Sequence, residues 1–135
     1  MAKTIETVCI VDDDDIYQFV ASMEIKKTKM VDKIIFFADG EQAINYLKQE
    51  QKNIVNIPDI IFLDVNMPVM DGWQFLAEYG ILKSKLPKSV IIYLVSSSVD
   101  ERDLTRAKTI NEISGYLIKP VARERLLEVL NTVLN

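Results

Sequence analysis

The sequence predicts an α/β protein, a (βα)5 doubly wound five-stranded parallel sheet. Five short apolar runs alternate from end to end with stretches of helical periodicity. Three of the five runs are nearly continuous in apolar residues, as in parallel strands covered on both faces. Regular alternation with short links places helices on both sides of one sheet. No linker, repeat or low-complexity segment interrupts the pattern, and 135 residues with 49% hydrophobic content suit one domain around one sheet.

The elements follow in order. The first strand reads Thr7–Val11, with Cys9 as a small buried residue inside it. Ile16, Phe19, Val20 and Met23 then recur at helical spacing and are expected to form the buried stripe of the first helix. The second strand is Ile34–Phe37. Asp39 before Gly40 is a suitable N-cap for a helix striped by Ala43, Ile44 and Leu47. The third strand is Ile60–Leu63. Asp71-Gly72 is read as the cap of a helix striped by Phe75, Leu76, Tyr79 and Leu82, which Gly80 is expected to weaken. Trp73 at its start is read as partly buried packing. The fourth strand is Val90–Val95, followed by a helix striped by Leu104, Ala107 and Ile110. The fifth strand is Gly115–Ile118. Leu126, Leu130, Val133 and Leu134 stripe the last helix and leave Val129 off the stripe as an exposed apolar contact.

Composition removes several function classes. With no histidine there is no Ser-His-Asp triad, no Cys-His pair and no histidine zinc site. The lone cysteine allows neither a disulfide within the chain nor a thiolate cluster. Any metal must sit on oxygen ligands, as Mg²⁺, Mn²⁺ or Ca²⁺ do. A net charge of −4 argues against nucleic acid and anionic membranes as partners. No apolar run is long enough to cross a bilayer, and the first residues lack the apolar stretch of a signal peptide, so a cytoplasmic location is expected.

In a doubly wound sheet, ligands bind beyond the carboxyl ends of the strands. Those ends are rich in chemistry here: Asp12-Asp13-Asp14-Asp15 after the first strand, Asp64 after the third, Ser96-Ser97-Ser98 after the fourth, and Lys119-Pro120 after the fifth. Carboxylates a few ångströms apart repel, and a bound Mg²⁺ resolves that conflict on one or two carboxylates plus a phosphate. Cation, ammonium and hydroxyl together suit the oxygens of a transferring phosphoryl group. An acidic run before a helix also complements the helix dipole, the reading given to Asp14 and Asp15.

Val11-Asp12-Asp13, Leu63-Asp64-Val65-Asn66-Met67-Pro68, Met70-Asp71-Gly72, Val95-Ser96-Ser97 and Gly115-Tyr116-Leu117-Ile118-Lys119-Pro120 together resemble the receiver domain of two-component response regulators. The resemblance runs from about Val8 to Leu134 and leads one to expect a single receiver domain without an output domain. It implies a flavodoxin-like strand order 2-1-3-4-5. It also implies that Asp64 is the phosphorylated nucleophile and that Asp13 binds Mg²⁺ or Mn²⁺ directly. Asp12 would bind the metal directly or through water, and Asn66 through its backbone carbonyl. Ser96 and Lys119 would contact phosphoryl oxygens, Lys119–Pro120 would be a cis peptide, and Tyr116 would be the rotating aromatic of the switch. The residues two beyond the acceptor and the hydroxyl, Asn66 and Ser98, would tune phosphate loss.

The implied partners are a sensor histidine kinase or histidine phosphotransfer protein and an unknown protein target. Target binding, and a possible dimer, would use the face of the fourth helix, fifth strand and fifth helix. A phosphate shuttle or sink uses the same site. A metal-dependent phosphohydrolase of the haloacid dehalogenase type would need a second aspartate where Asn66 stands, so self-phosphorylation and autodephosphorylation are the only reactions expected. Two departures from the family pattern stand out. Serine at 96 lacks the methyl that restrains the rotamer of threonine. Glu112-Ile113 replaces a Gly-Ala pair before the fifth strand, so Asn111 is expected in the left-handed region there.

Overall fold

The computed structural model describes residues 3–97 and 100–134. The elements run β1 (Ile5–Val11), α1 (Asp15–Lys27), β2 (Val31–Phe37), α2 (Gly40–Gln49), β3 (Ile60–Asp64), α3 (Gly72–Leu82), β4 (Ile91–Ser96), α4 (Glu101–Lys108), β5 (Ile113–Ile118) and α5 (Arg123–Leu134). Single 3-10 turns at Ile54–Asn56 and Lys83–Lys85 lead into β3 and β4. The sheet is parallel throughout and ordered β2-β1-β3-β4-β5, so the chain reverses direction across the sheet between β1 and β3. The strands begin and end within a few residues of their expected positions. β1, β2 and β5 start two or three residues earlier, because ladder pairing extends beyond the apolar run that marks each strand in sequence.

Strand alternation divides the interior into two layers. Cys9, Val11, Ile61, Leu63, Ile92 and Leu94 meet Ile44 and Leu47 of α2, Phe75 and Leu76 of α3 and Ala107 of α4 on one face. Val8, Ile10, Ile60, Phe62, Val95 and Leu117 meet Ile25 of α1 and Leu126, Val129 and Leu130 of α5 on the other. All five residues of β3 are buried, which explains its unbroken apolar spelling up to Asp64.

Four expectations are corrected. In α1, Ile16, Phe19, Val20 and Met23 do not face the sheet; Ile16 is 77% and Phe19 65% exposed. A second stripe, Tyr17, Ala21 and Ile25, packs on the core instead. Both stripes satisfy the helical period. The sheet takes the one through Ala21 and Ile25, with Ser22 buried beside it. In α5, Val129 is fully buried between Leu126 and Leu130, so the buried stripe is rotated relative to the expected one and Val133 and Leu134 sit at its margin. α3 runs unbroken through Gly80, since the capping box between Asp71 and Gln74 and four buried side chains outweigh the propensity cost of one glycine. Asn111 does not take a left-handed backbone; the non-glycine residues with positive φ among those described are Lys29 and Val69. The turn into β5 closes instead through the Ile113 amide, which donates to the Ile110 carbonyl at 3.2 Å.

Candidate functional site

The acidic run at the end of β1 is sorted by backbone geometry. The Asp12 amide donates to the Phe37 carbonyl at 3.0 Å, continuing the β1–β2 ladder by one step. The Gln18 side chain then donates to the carbonyls of Asp12 (2.6 Å) and Phe37 (3.1 Å), tying α1 to both strand ends. Asp14 caps α1, accepting from the amides of Ile16 and Tyr17 at 3.0 and 3.1 Å. Its own amide donates to Asp12 Oδ1 at 2.9 Å. Asp15 stands in the first helical turn, where negative charge favours the helix dipole. Only Asp12, buried, and Asp13, exposed, are left to face the sheet edge.

Asp64 closes β3 and is also buried. Its position is set from behind by α3: the Gly72 amide donates to the Val65 carbonyl at 2.9 Å. A Cβ on Gly72 would come within 2.6 Å of the Asp64 carbonyl oxygen, so this close approach requires glycine. Asp12, Asp13 and Asp64 each bring a carboxylate oxygen to within 4.8 Å of the others. Lys119, after β5, places Nζ 2.7 Å from Asp12 Oδ2 and 3.7 Å from Asp64 Oδ1. Its amide donates to the Ser96 carbonyl at 2.9 Å, and the Lys119–Pro120 peptide is cis.

The charges do not balance locally. Burial, and then the neighbouring Asp12, push the Asp64 carboxyl from 3.8 up to about 6, against the opposing pull of Lys119 and the amides of Val65 and Asn66. The donor set of three crowded carboxylates with one ammonium fits an oxygen-liganded dication, which lifts that penalty.

Of the other residues singled out in the sequence, Ser96 ends β4 fully buried, one step beyond the Val95 that pairs with Asp64. Asn66 is exposed two residues after Asp64. Tyr116, half-buried, lies in β5 opposite Leu94 and packs with the α2–α4 layer. The site therefore gathers Asp12, Asp13, Asp64 and Lys119, with Ser96 at the adjoining strand end. Ser98 lies outside the described residues. Trp73 is half-buried with the Arg106 guanidinium 4.4 Å over its ring. Two participants escaped the sequence reading: Gln18, the clamp on two strand ends, and Tyr17, whose ring lies 4.1 Å from Lys119 Nζ. Their only sequence signal is position, one turn into the helix that follows the acid run.

A parallel sheet whose order reverses between β1 and β3, with acids from both strands at the reversal, defines a doubly wound α/β protein with its ligand site at the switch point. The chain belongs to the response regulator receiver domain family, which residues 8–131 match. It is 32% identical to the probable C4-dicarboxylate response regulator DctR of Bacillus subtilis over 96% of the chain and 53% of that protein. It is 27% identical to the protein PilH of Pseudomonas aeruginosa over 94% of the chain and 96% of that protein. Its share of other relatives varies, from 75% of a probable methanogenesis regulatory protein, FilR2 of Methanothrix harundinacea, to 29% of the Arabidopsis thaliana response regulator ARR14. Among solved structures, a two-component response regulator from Cytophaga hutchinsonii superimposes with a TM-score of 0.88 at 33% identity, covering 98% of this chain and 99% of that one. A receiver protein from Dyadobacter fermentans does so with 0.81 at 27%, covering 96% and 98%.

Proposed function

We propose that the chain is a phosphoacceptor in two-component signalling, taking one phosphoryl group on Asp64 stoichiometrically rather than turning over a substrate. The observation that carries this reading is the meeting of Asp12, Asp13 and Asp64 beside the Lys119 ammonium at the switch point of the sheet.

The Asp64 carboxylate attacks the phosphorus of a phosphohistidine or a small acyl phosphate. The bond from phosphorus to the donor nitrogen or oxygen breaks, its electron pair leaves with the donor, and an acyl phosphate remains. Asp12, Asp13 and Asp64, with the Asn66 backbone carbonyl, would hold Mg²⁺ or Mn²⁺. The dication would supply the positive charge that keeps Asp64 ionised and draws in phosphoryl oxygens. Lys119 contributes a fixed positive charge from the side of β5, and the Ser96 hydroxyl donates to a phosphoryl oxygen. Asn66 stands where a phosphohydrolase needs a general acid, which favours an acceptor over an enzyme.

The new anion biases a two-state equilibrium in which Ser96 moves toward Asp64 and Tyr116 follows, reshaping the face of α4, β5 and α5 for a protein target or a second copy. The donor is a sensor histidine kinase or a histidine phosphotransfer protein. The exposed apolar side chains of α1, which begins within the acid run at Asp15, would supply a surface for it. No helix among the described residues is long and apolar enough to cross a membrane, in keeping with a place of action in the cytoplasm. A relay that hands the phosphoryl group on to another histidine uses the same chemistry and differs in the lifetime of the acyl phosphate.

Intact-mass measurement after incubation with acetyl phosphate tests the reading. A single phosphoryl adduct that needs Mg²⁺ and is lost in Asp64→Asn is expected. An Asp64→Asn protein that still takes the group at the native rate overturns it.

A further inference from the structure

We infer that Tyr17 is a positioning residue for Lys119, its ring face holding the ammonium at the phosphoacceptor site. The inference rests on the reading of Asp64 and Lys119 just given. The Lys119 ammonium has three N–H donors. Asp12 takes one at 2.7 Å, Asp64 stands off at 3.7 Å, and the Tyr17 ring lies 4.1 Å from Nζ. An aromatic face attracts a cation within about 6 Å without carrying a charge of its own. That property suits this place. A further carboxylate beside Lys119 would compete with an incoming phosphoryl group for the ammonium and would worsen the repulsion already felt by Asp64. A ring holds the lysine whether Asp64 is free or modified.

The ring is itself well fixed. The Tyr17 amide is held by the Asp14 cap, so the same acid run that supplies Asp12 sets the first turn of α1. Below it, the buried stripe of α1 packs through Ala21 and Ile25 onto Ile10 and Phe62. Burial, and then Asp12 and Asp64, push the Tyr17 hydroxyl up to about 12, so the ring stays neutral across the working range and no phenolate arises to pair with the lysine. Beyond the ring lies a largely apolar cavity of about 370 Å³ between α1, the sheet and the start of α5, lined by Ala21, Glu24, Phe62, Leu117 and Val121. Among the described residues, the ring over which Lys119 Nζ lies is that of Tyr17. A shorter aliphatic side chain at 17 therefore leaves Lys119 held by the acids alone.

The test compares Tyr17→Leu with Tyr17→Phe in the full chain. Phosphorylation by acetyl phosphate with Mg²⁺ is expected to slow about three- to tenfold in Tyr17→Leu, and Tyr17→Phe, which keeps the ring, is expected to restore the rate to within about twofold of the native protein. NMR supplies a readout that needs no phosphorylation. The ε-methylene protons of Lys119, recognised by their loss in Lys119→Met, are expected at ring-shifted positions in the native protein and Tyr17→Phe, and at ordinary lysine positions in Tyr17→Leu. A native protein that takes no phosphoryl group refutes the phosphoacceptor reading and leaves the lysine contact to the NMR arm. Native behaviour of Tyr17→Leu in rate and in lysine shift overturns the role of the ring. A Tyr17→Phe protein as slow as Tyr17→Leu does so too, because it would put the hydroxyl to work instead.

Discussion

Lys119 Nζ is an ångström nearer to Asp12 Oδ2 than to Asp64 Oδ1, 2.7 Å against 3.7 Å. The lysine thus lies against the more buried acid and offsets the acceptor only in part, leaving Asp64 with its carboxyl raised to about 6. Removing the ammonium strands both. Lys119→Met is expected to cost about 3 kcal/mol in metal-free protein at neutral pH, since it leaves a buried charge without its partner. Urea unfolding in chelator and in millimolar Mg²⁺ checks this. The deficit should narrow in Mg²⁺, because a dication held by the same carboxylates replaces the missing charge; an equal deficit in both would separate the lysine from the acid cluster.

The raised Asp64 carboxyl also dictates how metal-free stability depends on pH. Between about pH 4 and pH 6 the native state keeps a proton that the unfolded chain has released. The native state then binds more protons than the unfolded state, so stability falls as pH rises through that window. Asp64→Asn removes the effect. It is expected to stabilise metal-free protein at pH 7.5 by about 1–3 kcal/mol and to change little below pH 4. Denaturant midpoints for both proteins across pH 4 to 8 test it, and parallel curves would refute it.

Much of this was legible in the sequence, for identifiable reasons. Asp64 ends a strand buried on both faces, and such a strand spells itself as an unbroken apolar run, so the acid at its end stands out. Lys119 is marked instead by the Lys-Pro pair that follows β5, a strand with only Leu117 buried. The helices that lie on one layer with a single apolar stripe, α2 and α3, were read correctly down to Ile44, Leu47, Phe75 and Leu76. α1 was not, because it is apolar on two sides, and periodicity cannot say which of two valid stripes meets the sheet. Its orientation is tied to a non-local fact, the Gln18 side chain reaching the Phe37 carbonyl at the end of β2 as well as that of Asp12. The same ignorance hid Tyr17, since only the correct rotation of α1 brings its ring to Lys119. Val129 was misplaced for a related reason: the final stripe was drawn through Val133 and Leu134 near the helix end, where burial fades.

Gly72 offers a test of how the acceptor is positioned. Its Cβ position lies 2.6 Å from the Asp64 carbonyl oxygen and 3.0 Å from Val65 Cα, both backbone atoms that cannot swing aside. Gly72→Ala therefore has to push α3 away from the end of β3. It is expected to destabilise the protein by about 1–3 kcal/mol despite the better helix propensity of alanine. The displaced Asp64 should also slow phosphorylation by acetyl phosphate. Gly80→Ala is the control, since its Cβ would meet Glu112 side-chain atoms only at 3.6 Å or beyond. A Gly72→Ala protein as stable as Gly80→Ala would show that the approach of α3 is not tight.

The two rotations of α1 make opposite predictions for its large apolar residues. Phe19 is mostly exposed, whereas Leu130 on α5 is fully buried in the layer that α1 shares. Phe19→Ser is expected to change stability by no more than about 0.5 kcal/mol, as surface substitutions do, whereas Leu130→Ala is expected to cost about 2–5 kcal/mol. Phosphorylation of Phe19→Ser by acetyl phosphate, a donor too small to touch α1, should proceed at the native rate. Transfer from a phosphohistidine protein that phosphorylates the native chain is expected to slow if that donor rests on the exposed apolar face of α1, as proposed above. Urea unfolding and the two donor assays on one variant separate the cases. A loss of stability in Phe19→Ser comparable to that of Leu130→Ala would return the Ile16, Phe19, Val20 and Met23 stripe to the core and remove the surface on which the protein donor is proposed to act.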